Sequence, residues 1–414
     1  MGTNSDYYDE RETLPQEERE AALLQRLPAQ IAHAKANAPA FTEILKDIVP
    51  EEITSREALA ELPVTRKSEL MDLQKKQRPF GGLATVRPGE LARIFSSPGP
   101  IYDPEGRGKD YWRFSRALYA AGFRQGDIIQ NCFSYHFTPA ASMTEGGAAA
   151  LGCAVIPAGV GQTEMQANTM ADLRPIGYVG TPSFLKIILE KGDELGLDLT
   201  SLKRGIVSAE PFPPSLQKFF ADRGIDVYEC YASADVGMIA YQTPAREGLV
   251  IEEDILVEIV RPGTGVPVPE GEVGEVVVTT FNPVYPLVRF ATGDLSAIMP
   301  GVSPCGRTNR RIKGWMGRAD QTTKVRGMFV HPSQVAEVIR RHPEISRGRL
   351  VVAQEASRDT MTLQCVVDRR DDDLARAIEE SIQSVCKLRG AVEFVNGDAL
   401  PNDGKVISDT RTFE

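Results

Sequence analysis

The chain predicts an α/β fold in which a large N-terminal domain of parallel-rich sheets with covering helices carries a β-rich subdomain, followed by a small mobile α+β C-terminal domain. Three observations predict it. Helical and strand-like patterns alternate from about residue 110 to 235, the pattern changes to hairpins near 250, and a third pattern starts after GRADQTTKVRG at 317–327. Such alternation means parallel strands joined by helical crossovers, with ligands gathering at the carboxyl ends of the strands.

Residues 14–36 (LPQEEREAALLQRLPAQIAHAKA) are rich in helix formers with apolar residues at helical spacing, which predicts an N-terminal helix broken near Pro28. The alternating region reads as helix 110–122, strand Ile128 to Cys132, helix 139–151, strand 153–157, helix 164–173 and strand Ile176 to Gly180. It continues with helix 182–195, strand Gly205 to Ser208, helix 213–223 and strand Asp226 to Tyr231. Ile255 to Val260 and Gly274 to Thr280 flank the turn-rich PGTGVPVPEGE and predict an antiparallel hairpin. The last region reads as helix 332–342, strands Gly348 to Gln354 and Met361 to Val367, helix 373–388 and strand Ala391 to Val395. The expected domains are 1–319, with the β-rich part at about 245–319, and 320–414.

At 414 residues the chain is long enough for two or three units, and 42% hydrophobic with 25% charged residues is ordinary for a soluble globular protein. A net charge of -10 opposes broad attraction to nucleic acid or anionic lipid, so neither is an expected partner. Six scattered cysteines without a CxxC pair predict no disulfide framework or zinc ribbon and fit a reducing, cytoplasmic setting. The N-terminal MGTNSDYYDERETLP lacks the basic and apolar regions of a signal peptide. Residues 139–161 are small and weakly polar, and Glu145, two prolines and several glycines favour a helix running into a strand over a membrane span.

VRFATGDLS at 288–296 places Asp294 on a Gly-Asp turn after an apolar strand. Such a turn is often only a surface feature, yet an ionised carboxylate there also suits both hydroxyls of a ribose. YECYASADVG at 228–237, GRADQTTKVRG at 317–327 and PNDGKV at 401–406 decide between these readings. Together with YYDERETLP, LPVTRKSELMD, IVSAEPF, the hairpin leading to ATGDL, SPCGRTNRRIKGWMGRAD and HPSQVAEVI, they resemble the adenylate-forming superfamily of acyl-CoA synthetases, most closely the phenylacetate-CoA ligase family. The resemblance covers nearly the whole chain.

The resemblance implies an AMP-forming acid-CoA ligase using ATP, Mg2+ and coenzyme A on a small carboxylic acid, with a homodimer as a common assembly. Asp294 would take the ribose hydroxyls, supported by Arg318, while Ala209, Glu210, Pro211 and the ring of Tyr231 would line the adenine. Asp235 falls where the family usually has a glutamate beside Mg2+; a helix N-cap before Val236 is the bland alternative. Lys405 matches the catalytic lysine between substrate carboxylate and α-phosphate, and Asp320 the hinge that lets one site run two half-reactions. Lys324, Arg326 and Gly327 would contribute to the pantetheine tunnel. Tyr135, His136 and Phe137, just past a parallel strand, coincide with the aromatic gate of the acyl pocket, with Ala232 and Ala234 as small walls and His136 also a catalytic candidate. Cys305 resembles a position associated with zinc in some relatives, but no Cys/His cluster surrounds it, and no structural zinc is expected.

SSPGPIYDPE at 96–105 departs from the pattern. Most relatives have a glycine-rich, lysine-bearing loop there; here Ser96, Ser97 and Gly99 remain, Pro98 and Pro100 lack amide donors, and no lysine comes before Lys109. The favoured reading is a variant loop in an active ligase. An adenylating enzyme that passes its acyl group to an amine or carrier protein, and a non-catalytic nucleotide or acyl-CoA binding homologue, remain open.

Overall fold

A computed structural model describes residues 6–97, 100–326, 328–355, 358–400 and 406–411. The chain forms two compact units. The first runs to Arg261 and includes Gly265–Thr292 and Ala297–Gly314; the second gathers Pro262–Thr264, Gly293–Ser296 and the chain from Trp315. The division thus falls a few residues before the expected 319/320 limit.

A nine-stranded sheet dominates the first unit. Five parallel strands lie in the order Ala154–Ile156, Ile128–Asn131, Gly177–Gly180, Arg204–Val207 and Asp226–Ser233. Antiparallel Gly237–Tyr241, Leu249–Ile251, Arg311–Ile312 and Ile298–Met299 extend it. Three of these added strands, Leu249–Ile251, Ile298–Met299 and Arg311–Ile312, come from the β-rich stretch at about 245–319. From Ile128–Asn131 the chain moves to one side and then crosses to the other, so the order reverses at that strand, where α/β sheets open a crevice. The crossover helices follow their apolar spacing: in Pro182–Leu195, Leu185, Ile188, Leu189 and Gly192 are buried, and Pro182 occupies the first turn, where its missing N–H costs nothing. Gly147 lets helix Ala140–Leu151 approach closely, since a Cβ there would lie 2.8 Å from the Phe114 backbone.

The N-terminal helix runs unbroken over Gln16–Asn37, through Pro28. An interior proline costs about 3 kcal/mol. Leu23, Leu27, Ile31 and Ala34 are buried along this helix, and at about 1.5–3 kcal/mol for each large side chain their burial outweighs the lost hydrogen bond.

A second sheet pairs Ile255–Val260 with Gly274–Thr280, as the hairpin pattern predicts, and adds Phe290–Ser296 and Thr65–Arg66. Thr65 lies opposite Phe290 and Arg66 opposite Ala291 in parallel register. Arg289, 1% exposed, anchors this sheet with all five donors: two to Glu258 at 3.0 and 3.1 Å, and the rest to the carbonyls of Ala60, Leu62 and Gly265. SSPGPIYDPE is not an open loop along its length: Arg93–Ser97 and Ile101–Glu105 form an antiparallel hairpin, with Pro98 and Gly99 outside the described residues.

In the second unit, strands Ala391–Phe394, Arg358–Val367, Ile345–Glu355 and Ile407–Asp409 make a four-stranded sheet. Helices Pro332–Arg341 and Asp372–Cys386 accompany it, contributing Val335, Val338, Ile378, Ile382 and Cys386 to one buried cluster. Asp371 caps the second helix by accepting from the Leu374 N–H at 2.7 Å. A separate hairpin pairs Thr323–Val325 with Met328–Val330. Among the described residues no helix is long and apolar enough to cross a membrane.

Candidate active site

The carboxyl ends of the parallel strands carry several of the predicted residues. After Arg204–Val207, the Ser208 hydroxyl donates to the Cys230 carbonyl at 2.8 Å, and Ala209 then adopts left-handed backbone at φ +70°. Left-handed backbone costs a non-glycine residue about 1 kcal/mol or more, so the surroundings must hold it. Glu210 does part of this by accepting from the Ser183 N–H at 2.6 Å, in the first turn of helix Pro182–Leu195. Ala209 and Pro211 are exposed beside it.

After Ile128–Asn131, the Tyr135 hydroxyl donates to Glu145 at 2.8 Å and accepts from Asn131 Nδ2 at 3.0 Å. Burial and the Glu145 carboxylate push this hydroxyl above its ordinary range, so it remains a neutral donor. His136 is exposed, and Phe137 is 78% exposed with φ +63°. The Phe137 carbonyl accepts from the Ser96 N–H at 2.9 Å, which ties the 93–105 hairpin to this aromatic segment. That Ser96 donor, expected to face phosphate, is thereby engaged, and Ser97 is buried with its hydroxyl 3.4 Å from the Ile101 carbonyl.

Tyr231 is buried, and its hydroxyl donates to Thr292 Oγ1 at 3.0 Å. Ala232 and Ala234 are half-buried beyond it. Asp235 caps no helix: residues 234–236 form the turn between two strands, and Ser233 Oγ accepts from the Val236 N–H. The Asp235 side chain is 0% exposed and accepts from Lys67 Nζ at 2.6 Å. Beside it on the hairpin is Asp103, also fully buried. Oδ1 of Asp235 has no hydrogen-bond partner among the described residues, and Asp103 lies against Asp235 and Ser97. Burial and the charge of Asp235 push the Asp103 carboxyl up to about 8, so at neutral pH it keeps its proton. Mg2+ favours one or two carboxylates together with substrate phosphates, and the unmatched Asp235 oxygen fits that preference.

In the second unit, Asp294 Oδ1 accepts from Arg318 Nη1 and Trp315 Nε1, each at 3.1 Å. Gly293 makes the arrangement possible: its φ is +77°, and a Cβ there would lie 2.6 Å from the Arg318 guanidinium. Arg326 turns the 323–330 hairpin at φ +47°, with its N–H donated to Asp359 at 2.9 Å. It borders a cavity of about 610 Å3 also lined by Thr360, Thr362, Arg376, Glu379 and Arg389. Asp320 lies in the turn Ala319–Gln321 and Lys324 in a strand, while Lys405, Gly99 and Gly327 lie outside the described residues.

Cys305 Sγ contacts Ser303 Oγ at 3.1 Å and Arg307 Nη1 at 3.7 Å. Among the described residues no group of three or more His, Cys, Asp or Glu side chains is arranged to hold a metal.

Lys67, Asp103 and Trp315 were not singled out in the sequence. Lys67 lies in LPVTRKSELMD and Trp315 in GWMGRAD, so both sat within shared stretches, whereas nothing local marks Asp103.

The family described as "AMP-binding enzyme" matches residues 110–282. Phenylacetate-coenzyme A ligase of Thermus thermophilus is 33% identical over 380 residues, covering 87% of this chain and 84% of that ligase. The same-named ligase of Aromatoleum evansii is 32% identical, over 86% of this chain and 83% of its own. That of Escherichia coli is 31% identical, over 94% of this chain and 91% of its own. In fold, the chain is similar to an open conformation of 2-hydroxyisobutyryl-CoA ligase in complex with 2-HIB-AMP and CoA, with TM-score 0.87 and 24% identity over 99% of this chain and 95% of that one. Identity of this extent makes the chain a member of the phenylacetate-CoA ligase family of adenylate-forming enzymes.

Proposed function

We propose that this AMP-forming acid-thiol ligase activates a small aromatic or branched carboxylic acid and passes the acyl group to coenzyme A. The observation that carries the reading is the likeness to phenylacetate-coenzyme A ligases over 87% of the chain at 33% identity. A carboxylate resists attack by a thiol because its leaving group is poor, so it is first joined to AMP. Its oxygen attacks the α-phosphorus of ATP, the bond to the β-phosphate oxygen breaks, and pyrophosphate leaves with the electron pair. The CoA sulfur, after losing its proton to solvent, attacks the acyl carbon; a C–S bond replaces the C–O bond and AMP leaves.

In this reading Asp294 takes the ribose hydroxyls with Arg318 in support, and Ala209, Glu210, Pro211 and Tyr231 receive the adenine. Lys405 places its ammonium against charge developing on the α-phosphate. Asp235 would hold Mg2+, which supplies positive charge that neutralises phosphate. Ser96, Ser97 and Gly99 are the remnant of the phosphate loop. Tyr135, His136, Phe137, Ala232 and Ala234 wall the acid, and His136 suits a hydroxylated one. Phenylacetate, named for the relatives, and 2-hydroxyisobutyrate, named for the structural neighbour, fall within that class. Lys324, Arg326 and Gly327 serve the pantetheine arm, and Asp320 is the pivot between half-reactions. The setting is cytoplasmic, the assembly a homodimer, and neither nucleic acid nor membrane is a partner.

The test is a panel of small carboxylic acids with Mg-ATP, with and without CoA, reading pyrophosphate and the acyl-CoA mass. Acid-dependent pyrophosphate with a thioester of the matching mass is expected. Pyrophosphate without thioester points to an amine or carrier acceptor, and nucleotide binding without pyrophosphate to a non-catalytic homologue.

A further inference from the structure

We propose that Lys67 is the cation that faces the pyrophosphate end of ATP in this chain, in place of the lysine missing from SSPGP, and that the buried Asp235 positions it. The inference rests on the adenylation reading above. Three observations meet at this residue.

The first is a gap: the hairpin from Arg93 to Glu105 contains no lysine, and its Ser96 N–H is already donated to Phe137. The second is placement. Lys67 directly follows Arg66, which lies opposite Ala291 in a parallel pair, so it emerges at the level of Thr292. Thr292 in turn holds the Tyr231 hydroxyl at 3.0 Å. Lys67 thus stands where the strand pair ends, among residues the reading already gives to the nucleotide.

The third is charge. Lys67 Nζ is 2.6 Å from Asp235, and its side chain is 24% exposed while that of Asp235 is 0%. The Lys67 ammonium offsets the Asp235 carboxylate it pairs with and still reaches solvent, so an approaching polyphosphate meets a cation and not a bare carboxylate. A buried Asp235 oxygen without a partner is costly in an isolated fold, and such a cost is understandable where a ligand completes the set.

The test compares ATP and AMP binding, measured by calorimetry with Mg2+ present, in the unaltered chain, Lys67→Gln and Lys67→Arg. Glutamine still donates to Asp235 but carries no charge. Lys67→Gln is expected to weaken ATP about 10- to 100-fold, the scale of one lost charge-assisted hydrogen bond, while AMP stays within about twofold. Lys67→Arg is expected to restore most of the ATP preference. Equal losses for ATP and AMP, or no loss for either, would overturn the proposal. An unaltered chain that binds neither nucleotide would bring down the adenylation reading, and this inference with it. A second measurement needs no variant: Mg-pyrophosphate is expected to slow acylation of Lys67 by acetic anhydride, read by peptide mass spectrometry, and AMP is not. Unchanged labelling with pyrophosphate would count against the proposal.

Discussion

Asp294 and Asp235 are both aspartates met by a basic side chain, but they stand in opposite surroundings. Asp294 is 16% exposed, and its partner Arg318, 24 residues along the chain, is 36% exposed. Asp235 is 0% exposed, and its partner Lys67 is 168 residues away. A partly exposed ion pair is worth little more than the about 0–1 kcal/mol of a surface pair and rearranges more cheaply than a buried one, so neutral hydroxyls can compete for its carboxylate. A buried carboxylate gives up its partner only to something that replaces the charge, because an uncompensated buried charge costs several kcal/mol. The first arrangement suits a sugar, the second a metal ion and phosphate.

The largest expected effect calibrates the buried end of this comparison. Arg289→Ala leaves Glu258 buried without its cation and should cost about 3–5 kcal/mol in urea unfolding; a cost below about 1 kcal/mol would erase the distinction. Lys405→Ala tests the proposed role of Lys405 at the α-phosphate, which neither aspartate can supply: adenylation should fall about 10²- to 10³-fold with ATP binding little changed. Asp294→Asn should weaken ATP and AMP alike, by about 10- to 100-fold, with a change in stability under about 1 kcal/mol. A loss confined to ATP would mean Asp294 senses phosphate and would reverse the assignment of the two carboxylates.

Asp103→Asn sharpens the buried side through pH. The folded chain keeps to about 8 a proton that the unfolded chain sheds near 3.8, so this group's contribution is complete below 3.8 and is lost as pH rises through the window. Stability of the unaltered chain should therefore fall relative to the variant by up to about 1.4 kcal/mol per pH unit across that window, read by chemical denaturation at several pH values. Trp315→Phe is the mildest change. It removes one N–H donor from Asp294 and should weaken ATP and AMP by a few-fold, on the order of 0.5–1.5 kcal/mol.

What was legible in the sequence follows the range of the interaction. The crossover helices and strands from Ile128 to Tyr231 were readable because alternation is a local pattern. Pro28 was misjudged because the burial of Leu27 and Ile31, which overrides it, is tertiary. Asp294 and Arg318 could be paired in advance, since each sits in a contiguous motif. Lys67 could not, because its place depends on a two-residue parallel pairing of Thr65 and Arg66 with a strand more than 200 residues later. Asp103 was hidden for a similar reason: its meaning comes from a hairpin that folds it against Asp235, and SSPGPIYDPE alone reads as a loop.

The central claim is that an acyl-adenylate forms in this chain despite the missing loop lysine. Exchange of labelled pyrophosphate into ATP tests it most directly, because the label returns only if adenylation is reversible on the enzyme. With a cognate small carboxylic acid and Mg2+, and without CoA, the account predicts exchange that disappears when the acid is omitted and in Lys405→Ala. Acyl-CoA formation that proceeds with no acid-dependent exchange in the absence of CoA would contradict it.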